Sequence, residues 1–105
     1  AAAADKAGMA KFETEAKASK TGDADIALGR GFLSYGMNDK AEEAFARGIG
    51  KGVSKNLDEA QMLLGISQLR QGKKDASVAT FKGIKSTDPT FERLAKLWSL
   101  HAGAA

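Results

Sequence analysis

One short pattern occurs twice in the chain, and it restricts the possible folds more than any other feature of the sequence. The two copies are separated by 36 positions, with Leu28-Gly29 matching Leu64-Gly65, Gly36 matching Gly72, Ala41 matching Ser77, and Phe45 matching Phe81. Repetition at such a period is typical of chains that stack small helical units, because each unit buries its apolar face only against its neighbours. We therefore predict a stack of helices.

The repeated residue types fit that interpretation. Gly29 and Gly65 fall inside predicted helices, where Gly costs about 1 kcal/mol relative to Ala, so a neighbouring helix is expected to pack closely there. Gly36 and Gly72 are placed to turn the chain between two helices. The small residue after each turn lets the two helices touch, and the Phe after it fills the space towards the next unit.

Six helices are predicted, since Ala, Gly, Lys and Leu dominate, β-branched residues are sparse, and no segment alternates with the period of a strand. Their expected ranges are about 5–19, 23–35, 39–49, 57–71, 73–85 and 89–101. Asn38 is the expected N-cap of the third helix, and Asn56 with Glu59 has the spacing of a capping box before the fourth. Asp88-Pro89 supplies an N-cap and a first-turn proline for the sixth.

The repeated residues resemble the tetratricopeptide repeat (TPR), whose pattern runs Leu-Gly, aromatic, turn Gly, small residue, Phe and Pro. Unit one matches with Leu28-Gly29, Phe32, Gly36, Ala41, Phe45 and Gly48, and unit two with Leu64-Gly65, Gly72, Ser77, Phe81, Ile84 and Pro89. The resemblance implies an all-α, right-handed α-solenoid of antiparallel helix pairs with about six helices. It also implies one domain over 1–105, with a partial or capping repeat at 5–21, repeats at 22–55 and 56–89, and a C-terminal capping helix at 89–102.

The chain departs from the family pattern in several places. Neither unit has the early Trp, Gln68 stands where an aromatic is expected, Val53 replaces the closing Pro of unit one, and the period is 36 instead of 34. The extra length falls in the loop 50–56, which resembles the loop of Sel1-like repeats. The general character of the sequence resembles bacterial proteins of this type, for which we expect the periplasm ahead of the cytoplasm.

The residues that chemistry requires are scarce. The 105 residues include no Cys and a single His, His101, near the end of the last predicted helix. Carboxylates at Asp23, Asp25, Asp58 and Glu59 are expected to oppose the helix dipole at helix starts. We therefore predict that the protein is not an enzyme, and we expect no catalytic residue, metal site or cofactor.

Charge and hydropathy restrict the partners. The net charge of +3 comes from 16 basic and 13 acidic residues that are mixed along the chain, whereas nucleic-acid-binding proteins usually gather their basic residues into a patch. No apolar run approaches the about 18 residues needed to cross a bilayer. We expect a protein or peptide partner, no nucleic acid and no membrane span, with self-association left open.

In the family, the first helix of each pair lines a groove that receives a peptide. By position, that groove would be lined by Asp23, Ile26, Arg30, Leu33 and Ser34 from unit one, and by Glu59, Met62, Ile66, Leu69 and Arg70 from unit two. The Lys and Asn of the family's carboxylate clamp are missing, so an apolar or amphipathic segment is the expected ligand. Alternatives remain. The N-terminal helix covers Met62, Ile66 and Leu69, or the chain is a structural fragment of a longer TPR array or a regulatory domain, with no independent ligand groove.

Overall fold

A computed structural model of the protein describes residues 2–104, with side chains described for 8–104. The described chain is all-α, as predicted, and measures 38 × 28 × 19 Å. Its six helices are α1 (Ala2–Ala18), α2 (Asp23–Ser34), α3 (Asn38–Lys51), α4 (Leu57–Arg70), α5 (Lys74–Lys82) and α6 (Pro89–Ala104). Each helix packs mainly against the helices before and after it in the chain, and α2 also contacts α4.

The two turn glycines end α2 and α4 in the same way. Gly36 and Gly72 have φ values of 74° and 79°, which are costly for residues with a Cβ atom. The backbone amides of Gly36 and Met37 donate to the carbonyls of Leu33 and Phe32, at 3.1 and 2.9 Å. The equivalent bonds at Gly72 are 3.0 Å each, so both helices end in a Schellman motif.

The glycines inside α2 and α4 leave room for the repeated phenylalanines. A Cβ atom built on Gly29 would lie 2.6 Å from the ring of Phe45, and one built on Gly65 would lie 2.5 Å from the ring of Phe81. Both rings are buried, with at most 1% of their surface exposed. The sequence repeat is therefore also a repeat of contacts, which explains why Gly is tolerated inside these helices.

Two apolar clusters form the core, and α4 contributes to both of them. The first gathers Ala16, Ile26, Leu28, Phe32, Ala41, Ala44, Phe45 and Ala60, from α1 to α4. The second gathers Met62, Phe81, Ile84, Ala95 and Ala102, from α4 to α6. Because α4 places Ala60 in one cluster and Met62 in the other, it joins the two halves of the described chain.

The predicted caps have different outcomes. Asp88 caps α6 as predicted, because its Oδ1 accepts the amide of Thr90 at 2.9 Å. Asn38 was expected to cap α3 but is its first helical residue, preceded by Met37 at the N-cap. Asn56 does occupy the N-cap of α4, but it is left-handed (φ 58°, ψ 44°) and makes no side-chain cap bond, so the predicted capping box does not form. The side chain of Glu59 instead reaches across to α2.

Three helix ends also differ from the predicted ranges. Helix α5 ends at Lys82, three residues earlier than expected, because the chain turns at Gly83 and places Ile84 in the second cluster. Helices α3 and α6 continue to Lys51 and Ala104, beyond the predicted ends. Helix α1 begins at Ala2, ahead of the expected start.

Candidate functional site

The apolar residues predicted to line a groove are mostly packed in the core. Ile26 and Met62 expose only 8% and 6% of their surface, whereas Leu33, Ile66 and Leu69 are half-buried at the edges of the two clusters. Ile66 and Leu69 pack with Met62 against α5 and α6, and the cluster that holds them contains no described residue of α1. The alternative in which α1 covers this apolar area is therefore not found among the described residues, because α5 and α6 pack against it.

Three of the polar residues predicted to line the groove lie in or beside a cleft between the two units. Arg30 of α2 forms an ion pair with Glu59 of α4, and both side chains are exposed. Asp23, Ile26 and Arg30 line a cleft of about 300 Å³ together with the loop between α3 and α4. In that loop, Ser54 donates from its amide and from its hydroxyl to the carboxylate of Asp23, at 3.1 and 3.0 Å. The cleft therefore has a polar, partly ordered rim.

The last two groove residues lie at helix ends, away from that cleft. Ser34 is the last residue of α2, and its hydroxyl donates to the carbonyl of Gly31 at 2.8 Å. Arg70 is the last residue of α4, exposed and without an ion pair to the part of the chain that the structure describes. The structure therefore brings Asp23, Ile26, Arg30 and Glu59 together, while Ser34 and Arg70 remain separate.

A buried carboxylate that the sequence does not single out joins α2 to α3. Asp25 is completely buried. Its Oδ1 accepts a hydrogen bond of 2.8 Å from Nε of Arg47, and its Oδ2 lies 2.8 Å from Nζ of Lys51. Both cations expose about one fifth of their side chains, at 22% and 21%. Since a buried charge is costly unless it is paired, this pairing is a condition for the helices to pack as they do.

Lys51 also ties α1 to this ion cluster. Its ammonium donates to the carbonyls of Ala16 and Lys17, at 2.9 and 3.2 Å, in the last turn of α1. A cation at this position satisfies carbonyls that have no partner within the helix, and it opposes the negative end of the helix dipole. One side chain therefore holds the C-terminal end of α1 against both α2 and α3.

A second polar network lies where the two units meet. Glu42 of α3 accepts hydrogen bonds from Lys73 at 2.7 Å, from Gln71 at 2.8 Å and from Gln68 at 3.3 Å. The Oε1 atom of Gln68 accepts a further bond of 2.6 Å from the hydroxyl of Thr80. Burial alone would raise the pKa of Glu42, but the hydrogen bonds from Lys73, Gln71 and Gln68 and the charge of Lys73 together lower that pKa below its ordinary value.

Sequence reasoning did not find these two networks. Asp25 was interpreted as a helix-start carboxylate, although Arg47 and Lys51 lie four residues apart, which places them on one face of α3 and could have indicated a shared acidic partner. At Gln68 the repeat pattern indicates only that an aromatic residue is missing. In the structure Gln68 is 9% exposed and forms hydrogen bonds with Glu42 of α3 and Thr80 of α5. Pairing of buried polar residues over more than twenty positions leaves no periodic signal in a sequence.

His101 is exposed on α6 and meets the ring of Trp98 edge to face, with 5.7 Å between the ring centroids. Among the described residues, no group of three or more His, Cys, Asp or Glu side chains could hold a metal ion. None of the described helices combines the length and the apolar character that crossing a membrane demands. Comparison with family models, with curated proteins and with solved structures gives no match.

Proposed function

We propose that the protein is a TPR-like interaction module, a right-handed α-solenoid of antiparallel helix pairs that serves as a scaffold or adaptor. The contact of Gly29 with Phe45, repeated by Gly65 with Phe81, supports this architecture. The ligand in this proposal is a peptide or protein segment that binds at the α2–α4 surface. The function involves no reaction, metal or cofactor.

The exposed ion pair of Arg30 and Glu59 carries the proposal. It joins the first helix of each unit beside a cleft of about 300 Å³. The resemblance to the tetratricopeptide repeat implies a ligand on this surface. An exposed ion pair contributes about 0–1 kcal/mol to stability, so a ligand can replace it at little cost. Backbone and polar side chains of an extended segment would then bond with Arg30, Glu59 and Asp23, while Leu33 offers a half-buried apolar contact.

Peptides selected from a random displayed library against the whole chain would test this function. We expect the amide shifts caused by a selected peptide to map to α2 and α4, and Arg30→Glu to weaken its binding about tenfold, a change of about 1.4 kcal/mol. The reversal Lys11→Glu, on the exposed surface of α1, is the matched control and should leave the affinity unchanged. Shifts confined to other helices would contradict the proposal.

A second candidate function, a stacking unit of a longer array, is favoured by the surface of α6. Leu94, Leu97 and Leu100 expose 44%, 62% and 66% of their surface, which is unusual for three leucines on one helix. Such a face suits contact with a further unit. Sedimentation at increasing concentration would test it: self-association that Leu97→Gln abolishes supports stacking, and a monomer at every concentration rejects it.

A further inference from the structure

A cavity of the described chain lies between α5 and α6, away from the α2–α4 surface. It has a volume of about 650 Å³, within the range of about 300–1,000 Å³ that is common for binding sites. Phe81 and Ile84 come from α5 and the turn after it, and Ala95 and Ser99 come from α6. All four are buried, at 5% exposure or less, and form the floor of the groove, while Leu100 of the same lining exposes 66% of its surface and supplies apolar area that a ligand can reach.

Basic side chains surround this floor. Lys82 and Lys85 line the groove on the α5 side, and Arg93 and Lys96 line it on the α6 side. All four are exposed, and none of them forms an ion pair with any described residue. The one acidic residue of the lining is Glu92, whose carboxylate accepts the amide of Ser86 at 3.1 Å. The lining therefore carries four positive charges and one negative charge, and none of the four cations is ion-paired to a described residue.

We propose that this α5–α6 groove binds an amphipathic helix of a partner protein, with apolar residues on one face and acidic residues on both flanks. The apolar face would pack on Leu100 above the floor, and carboxylates on the two flanks would reach the basic residues on opposite sides. This site goes beyond the function proposed above, because it uses other helices and a different surface.

The chemistry of the groove favours an acidic protein segment over other anions. Single-stranded nucleic acid needs exposed aromatic rings on which bases stack, whereas the one aromatic ring of the lining, Phe81, is 1% exposed. A bilayer contacts several protruding apolar residues, whereas Leu100 is the one large apolar residue of the lining that is exposed. A helix can fill the recess between α5 and α6. Because its acidic flanks would be attracted to the basic residues of the rim, binding should weaken as the salt concentration rises.

Two synthetic peptides that share one apolar face provide the test. Both carry Leu at helical positions i, i+3, i+4 and i+7, one with Glu on the flanks and the other with Lys at the same positions. Fluorescence anisotropy with the whole chain should show binding of the Glu peptide and at least about tenfold weaker binding of the Lys peptide. Raising the salt concentration should weaken binding of the Glu peptide. The amide shifts that this peptide causes in the protein should map to α5 and α6.

Charge-reversed variants localise the site. The double variant Lys82→Glu/Arg93→Glu should bind the Glu peptide at least about tenfold more weakly. The control Lys11→Glu/Lys20→Glu changes the net charge equally at distant exposed positions and should keep the original affinity. If the reversed variant fails to fold, Lys82→Gln/Arg93→Gln gives the same comparison with a smaller loss. Equal binding of both peptides, no binding of either, or self-association through this groove would overturn the proposal. So would preferential binding of single-stranded DNA or of anionic vesicles at these residues. Peptides that bind at α2–α4 would leave the amide shifts of α5 and α6 unchanged. Either proposal can therefore be contradicted while the other one holds.

Discussion

The ring of Phe81 occupies the space that a side chain on Gly65 would need, just as the ring of Phe45 does at Gly29. A Cβ atom at residue 65 would lie 2.5 Å from the Phe81 ring, and that ring is 1% exposed, so it has little room to move. The repeated contact is therefore a steric requirement on both residues of each pair.

Gly65→Ala should destabilise the protein even though Ala favours helix. The gain in helix propensity is about 1 kcal/mol, whereas overpacking a buried contact costs about 1–3 kcal/mol. We expect a net loss of about 1 kcal/mol in the free energy of unfolding by urea, followed by Trp98 fluorescence. Gly50→Ala is the control, because nothing lies within 4 Å of its Cβ position, and it should leave the protein equally or more stable. A stabilised Gly65→Ala variant would show that the ring moves freely.

Asp25→Asn should cost much more stability than a similar change at an exposed ion pair. Neutralising Asp25 removes the counter-charge of Lys51 and leaves Arg47 with only the exposed Glu43, at 3.7 Å, and breaking a buried pair in this way costs about 3–5 kcal/mol. In the exposed pair with Arg30, Glu59→Gln should cost about 0–1 kcal/mol. Urea unfolding of both variants gives the comparison. Equal losses would mean that burial of Asp25 does not govern the strength of its pairing.

Lys51→Met should loosen α1 more than the other helices. The substitution removes the bonds to the carbonyls of Ala16 and Lys17 and leaves Asp25 with Arg47 alone. We expect the amides of the C-terminal half of α1 to exchange with solvent at least about tenfold faster, since about 1.4 kcal/mol of local stability corresponds to that factor.

The same measurement on Lys73→Met provides a matched loss of one lysine that pairs with Glu42. In that variant α1 should keep its protection, because Lys73 lies in the turn before α5. Uniformly faster exchange in both variants would argue against a local role for Lys51.

Stability should fall in acid partly because of Glu42. Its hydrogen bonds with Lys73, Gln71 and Gln68 lower its pKa in the folded protein below the ordinary value of 4.5. A lowered folded pKa contributes stability that is fully present above the unfolded value and is lost as the pH falls through the folded pKa. Urea unfolding between neutral pH and acid should therefore show a smaller pH dependence for Glu42→Gln than for the unaltered chain. Glu43→Gln, which alters an exposed side chain beside it, should keep the original dependence.

The sequence predicted the helices better than the surface they present. The glycine turns, the Asp88 cap and the Gly–Phe spacing depend on residues that act locally or at a fixed period, so their pattern is readable in the sequence. The burial of Ile26 and Met62 depends instead on how closely the later helices pack, which residue spacing alone does not determine. Helix ends such as Lys82 were misjudged for the same reason, because the packing of Ile84 ends α5 before its sequence pattern does.

The sequence pattern does not predict the α5–α6 groove either. Its four basic residues are spread over two helices, and the mixed charges along the chain conceal that they meet around one cavity. The resemblance to the tetratricopeptide repeat predicts a ligand-binding surface on α2 and α4 instead. Three-dimensional proximity, and not the count of charges, distinguishes this surface.

The bonds around Glu42 make the order of the two units chemically specific. The residue of unit two that corresponds to Glu42, 36 positions further on, is Val78. If one copy of unit two followed another, Gln68, Gln71 and Lys73 of the later copy would face Val78 of the earlier one. The side chain of Val accepts no hydrogen bond, so the bonds made to Glu42 would be lost. Unit two is thus fitted to follow unit one and is poorly fitted to follow itself. Gene duplication or recombination that shuffled these units would have to change residues at the new junction as well.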